Sequence, residues 1–157
     1  TSWAVSCESS TWKTYTEIRF IIASFMYPDK WQINTSATDT DSCDAFSISL
    51  PDTESYCGSE HFPPIYIKPL TAGDKLRCQN QEETIVNSYK AIKCTGVITS
   101  DLKIFFFNLR KDSKVTDYFF EGKGIDKKGV AMWFTQETGV ESQEKIFNQI
   151  LSTLKFH

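Results

Sequence analysis

Residues 114–157 constrain the fold of this chain more than any other stretch. Two aromatic-rich strand patterns, at 115–122 and 129–135, flank the polar turn residues Ile125, Asp126, Lys127 and Lys128. A single helix pattern follows, in which Ile146, Phe147, Ile150, Leu151 and Leu154 recur at helical spacing and share one stripe. Thr138 and Glu141 have the spacing of a capping box, and the helix is predicted over 141–156. Almost everything earlier is strand and turn pattern. The expectation is an all-β fold, an up-and-down antiparallel barrel of roughly eight strands with the one helix packed on its outside.

The 157 residues make one domain, 1–157, long enough to bury a core unaided. Strands are predicted over 16–27, 44–50, 65–70, 84–94, 96–99 and 102–109, before the two late ones. Residues 44–50 alternate cleanly, with Phe46, Ile48 and Leu50 on one face. Pro69 marks its strand as a sheet edge or a bulge. Residues 110–113 are a polar hairpin loop.

Composition excludes several function classes. The net charge is -3 with acids and bases interspersed, so no basic stripe marks a nucleic-acid binder. No apolar run approaches the ~20 residues of a membrane span. Cys7, Cys43, Cys57, Cys78 and Cys94 show no CxxC spacing, and only His61 and His157 accompany them. A zinc site is therefore not expected, nor any other cofactor. Two disulfides and one odd thiol are expected instead, which places the chain in an oxidising compartment. Asn34-Thr35-Ser36 is a glycosylation sequon in a Ser/Thr/Asp-rich stretch. Together these predict a secreted, extracellular glycoprotein whose signal peptide has been removed. No nucleophile–base–acid set accompanies either histidine, and the chain is not expected to be an enzyme.

A closed barrel of this size is either filled or holds one small ligand, and aromatics on both strand faces leave both readings open. For a ligand, the expected lining is Phe20, Ile22, Phe46, Ile48, Ile67, Phe105, Phe107, Phe119, Met132 and Phe134. Arg19, Tyr89 or Glu121 would bond a polar group at the mouth. Glu17 and Arg19 share a strand face, directed either to solvent or to a headgroup. Interiors this aromatic favour a sterol, fatty acid or eicosanoid. The alternative is a secreted β-sandwich with filled inner faces that captures a host cytokine, chemokine or receptor on its surface.

Thr116, Asp117 and Tyr118, followed by aromatics, resemble the second motif of the lipocalins. The 129–135 strand running into a helix is similar to their last strand and helix, and Trp12 stands where they carry a buried tryptophan. Ser10 replaces the glycine of that first motif, and no arginine occurs among Thr135, Gln136 and Glu137. Thr11-Trp12-Lys13, the aromatic segment 19–29 and Met132-Trp133 resemble the salivary lipocalins of ticks in particular. The resemblance implies a carrier or scavenger of one small hydrophobic molecule, acting on host immunity or inflammation. A host immune-cell or plasma protein is a further implied partner. It also implies that the 116–118 motif is a structural loop brace. Finally, it implies a Cys7–Cys94 bridge, with a second pair among Cys43, Cys57 and Cys78.

Overall fold

The computed structural model describes residues 11–31, 33–36, 47–50, 65–76, 78–99, 102–104, 107–136 and 143–157. For 34–36, 47–50, 102–104, 107–109 and Leu76 only the backbone is described. Among these residues the protein is mostly β, with two principal antiparallel sheets and a C-terminal helix.

The first surprise lies within 16–27, expected to be one strand. It is a hairpin of β1 (Lys13–Glu17) and β2 (Ala23–Tyr27), paired from Lys13 opposite Tyr27 to Glu17 opposite Ala23. Glu17 makes the break. Its buried carboxylate accepts the main-chain N–H groups of Arg19 at 2.8 Å, Phe20 at 2.8 Å and Ile21 at 2.7 Å. Those bonds fold residues 18–22 into a loop in which Ile22 takes a φ of 51°. A local side chain–backbone network here overrides the β-propensity of an Ile- and Phe-rich segment.

The remaining strands are β3 (Asn34–Ser36), β4 (Ser47–Leu50), β5 (Ile65–Pro69), β6 (Asn80–Val86), β7 (Tyr89–Val97), β8 (Leu102–Ile104), β9 (Phe107–Leu109), β10 (Lys114–Phe120), β11 (Val130–Gln136) and β12 (Lys155–Phe156). A short helix, α1 (Ala72–Leu76), follows β5, and α2 (Glu144–Thr153) precedes β12. One sheet has the order β1-β2-β12, and the large one has the order β3-β4-β5-β11-β10-β7-β6. β8 and β9 form a separate hairpin, so the expected 102–109 strand is also divided. No closed barrel is detected among the described residues.

The large sheet is not the expected meander. After β5 the chain passes through α1 to the far edge, and β11 returns to lie beside β5. β5 is therefore an interior strand, with Pro69 as its last residue rather than a mark of the sheet edge. The expected 84–94 strand is split at Asn87 and Ser88, whose φ values of 50° and 73° make a two-residue hairpin turn. An Asn-Ser pair is a weaker turn signal than Asn-Gly, so the local sequence reads as continuous strand.

α2 is shorter than predicted at both ends. Leu154 leaves the helix with an extended ψ of 133°, and the next two residues pair with β2. Thr138 and Glu141 lie outside the described residues. The predicted stripe is observed, with Phe147, Ile150, Leu151 and Leu154 buried and Ile146 half-buried. It packs into one core with Ile65, Ile67, Tyr118, Phe120, Val130, Met132 and Phe134 of the large sheet. Trp12, Ile21, Ala23 and Phe25 close that core from the small sheet's side. Each of the larger side chains contributes about 1.5–3 kcal/mol by leaving water.

Candidate functional site

The expected lining does not assemble around a single space. Ile67, Met132 and Phe134 are buried in the filled core. Phe119 lies on the opposite face of the large sheet, with Cys94 and Ala131. Register explains the split: Tyr118 is opposite Met132, Phe119 is opposite Ala131, and adjacent residues of a strand point to opposite faces. Glu121 is exposed and ion-paired with Lys75, not a buried acid. Tyr89 is no mouth residue: its Oη accepts the Phe156 N–H at 2.9 Å, and the two rings meet edge to face.

Phe20 and Ile22 sit in the loop closed by Glu17. The Phe20 carbonyl accepts the Ile125 N–H at 2.7 Å, and the Ile22 carbonyl accepts that of His157 at 2.9 Å. Arg19 is exposed, 3.8 Å from Glu17, and lies over the Phe20 ring. Ile48 pairs with Ile67 along the backbone, Phe107 opens β9, and Asn34 opens the edge strand β3. Phe46 and Phe105 lie outside the described residues, as do Cys7, Cys43 and Cys57.

The structure brings a different set together. A concavity of about 640 Å³ is lined by Lys13, Tyr15, Tyr27, Asp29, Lys30, Trp31 and Ile33. Its floor is built by the β1–β2 register, which places Lys13 opposite Tyr27 and Tyr15 opposite Phe25 on the core-facing side. Tyr15 packs 5.8 Å from Phe25, ring to ring. A turn closed by the Trp31 N–H on the Pro28 carbonyl, at 3.0 Å, holds Trp31 beside them. Tyr15, Tyr27 and Trp31 are half-buried, while Lys13, Asp29 and Lys30 are exposed. Burial, reinforced by the negative charge of Glu17, raises the Tyr15 phenol above its ordinary 10.0, so it stays a hydrogen-bond donor at neutral pH.

Sequence reasoning missed this set because it extended 16–27 as one strand. That would carry Tyr15 and Tyr27 roughly 40 Å apart at the rise of a β-strand. The available signal was the aromatic triplet Tyr15, Tyr27 and Trp31 around Pro28-Asp29, next to two lysines.

The outer face of the large sheet carries two further hollows. One, of about 160 Å³, is lined in part by Val97, Val115, Asp117 and Trp133. Asp117 is buried in the middle of β10, opposite both Trp133 and Cys94, so the 116–118 motif lies within a strand and not in a loop. Beside it, Cys94 is bonded to Cys78, with Cα atoms 5.6 Å apart. This replaces the expected Cys7–Cys94 bridge, and the reason is topological: β6 and β7 pair directly, which brings the start of β6 against the middle of β7.

The Gln79 side chain continues that pairing by accepting the Val97 N–H at 2.9 Å and donating to its carbonyl at 3.1 Å. A Cβ at Gly96 would lie 2.8 Å from Gln79 Oε1, so any side chain there would have to displace the end of the Gln79 side chain from this arrangement. Close by, Lys68 Nζ lies 2.5 Å from Asp74 Oδ2, both side chains buried, and that oxygen also accepts the Thr71 N–H at 2.8 Å. The second hollow is an open groove of about 730 Å³ flanked by Glu83, Ile85, Lys90, Ile92, Phe119 and Glu121.

Among the described residues there is no cluster of metal-ligating side chains, and no helix is long and apolar enough to cross a membrane. Comparison with protein-family models, curated proteins and solved structures finds no match to this chain.

Proposed function

We propose that this chain is an extracellular binding protein for one small amphipathic molecule, a hydrophobic body carrying an anionic group. The site is the concavity formed by Tyr15, Tyr27 and Trp31 with Lys13 and Lys30 at its rim. The observation that carries this reading is the joining of three half-buried aromatic rings, two exposed lysines and a single exposed aspartate, Asp29, in one open space of about 640 Å³. That volume lies in the range of about 300–1,000 Å³ that suits small-molecule sites. A fatty acid or eicosanoid matches the chemistry, its chain over the rings and its carboxylate at the lysines.

Magnitudes assign the roles. Apolar ligand surface covered by the rings is worth about 25 cal/mol per Å². A carboxylate–ammonium pair at a solvent-open rim adds about 1 kcal/mol or less. The rings supply affinity, and the lysines supply orientation and selectivity. The role in host immunity rests on the resemblance to tick salivary lipocalins.

Calorimetry with arachidonate and its methyl ester tests the proposal. Arachidonate is expected to bind, the ester more weakly, and Lys13→Gln with Lys30→Gln should erase the difference between them. Trp31→Ala should abolish both. Arachidonate binding that survives Trp31→Ala and Tyr27→Ala would place the site elsewhere.

A further inference from the structure

Among the described residues the two edges of the large sheet are β3 and β6, and β6 is the one with described side chains. Most of its residues are exposed, and Ile85 is 69% exposed, a large apolar side chain on a bare sheet edge. The two-residue turn at Asn87 and Ser88 makes Val86 and Tyr89 a hydrogen-bonded pair. Alternation along the ladder then turns the N–H and C=O groups of Thr84 and Glu82 toward β7, opposite Ala91 and Lys93. The same groups of Gln81, Glu83 and Ile85 point to the open edge. Such an edge is a template for another strand.

We propose that β6 pairs antiparallel with β6 of a second copy of this chain, about a two-fold axis at Thr84. Charge selects this register. An axis at Glu83 would set two carboxylates directly opposite each other, which is unfavourable. An axis at Ile85 would pair Glu83 with Asn87, whose φ of 50° has already left the strand. An axis at Thr84 sets Glu83 opposite Ile85 of the second copy, both with outward main-chain groups.

On the outer face the row then runs Lys90, Ile85, Glu83 of the second copy, Ile92 of the second copy. Lys90 and the opposing Glu83 are two strands apart, about 10 Å between backbones, within reach of two long side chains. The arrangement occurs twice by symmetry. It covers both copies of Ile85 and places each Glu83 near a lysine. The self-matching order of charge and apolar surface is what selects a second copy over a foreign strand. The partner thus adds to the fold without using the Tyr15–Trp31 concavity.

Sedimentation velocity of the intact, disulfide-bonded protein over a concentration series tests this. A reversible dimer is expected. Ile85→Pro removes an N–H that faces only the open edge, and should give a monomer with an unchanged far-ultraviolet spectrum. Glu83→Lys should raise the dimer Kd about tenfold, as should Lys90→Glu, and the double variant should restore it. The charge-reversal pair keeps the test intact if Ile85→Pro disturbs folding. A monomer at every concentration overturns the proposal. So does a dimer indifferent to these substitutions, or one whose double variant fails to recover.

Discussion

The ring of Phe134 lies almost flat on that of Phe147, with centroids 5.1 Å apart and planes 17° apart. The pair joins β11 to α2 in the centre of the core, and both side chains are buried. Through it α2 packs on the face of the large sheet that a ligand-holding barrel would leave open. Phe147→Ala is expected to destabilise the protein by about 3–5 kcal/mol, because the ring leaves a cavity that the surrounding strands cannot collapse into. Leu151→Ala, one turn further along, should cost about 2–5 kcal/mol. Urea unfolding measures both, and a loss under 1 kcal/mol at Phe147 would mean that the helix is not a core element.

Glu17 is expected to be the most sensitive polar position near the concavity. Its carboxylate organises the loop that turns β1 into β2, and that turn is what sets Tyr15 beside Tyr27. Glu17→Gln should cost roughly 1–3 kcal/mol, since an amide offers one acceptor oxygen and no charge to these N–H groups. Amide exchange at Phe20 and Ile21 should accelerate in the same variant. Unchanged protection there would show that the loop is held by something else.

The buried Lys68–Asp74 pair predicts strong non-additivity. Lys68→Met alone takes the ammonium from the buried Asp74 carboxylate and should cost about 3–5 kcal/mol. Lys68→Met combined with Asp74→Leu should recover much of that loss, because the desolvation of both charges is removed together. A double-mutant cycle with no coupling would refute this account.

Alkaline pH should weaken the fold through Tyr15. Its pKa is raised above 10.0 in the folded state, chiefly by burial and then by Glu17. Unfolding therefore releases the phenol to ionise more easily, at about pH 10. Stability from this group is complete below the unfolded pKa and is lost as pH rises through the folded one. Tyr15→Phe should flatten the decline above pH 10 relative to the wild type. Parallel stability curves for the two proteins would show that the phenol titrates normally.

Sequence alone determined the β-rich class, the helix near the end of the chain, its buried stripe and the loops on either side of β10, while the short helix α1 was not expected. These follow from local periodicity and turn chemistry, which act over a few residues. Two breaks escaped that logic. The Glu17 loop depends on a carboxylate gathering main-chain donors, and the Asn87-Ser88 turn depends on two positive φ values in residues that tolerate them without advertising them.

Only the tertiary structure decided the strand order, the partner of Cys94 and the composition of the concavity. β11 lies beside β5 with Ile65, Ile67, Val130, Met132 and Phe134 buried in one core, although about sixty residues of chain separate the two strands. That same placement left β6 at the far edge, while the local β6–β7 pairing brought Cys78 to Cys94. Packing of the α2 stripe filled the space expected for a ligand, and the Glu17 loop set Tyr15 beside Tyr27. Pairing between distant segments is chosen by the surface they bury jointly, and no single segment encodes that choice.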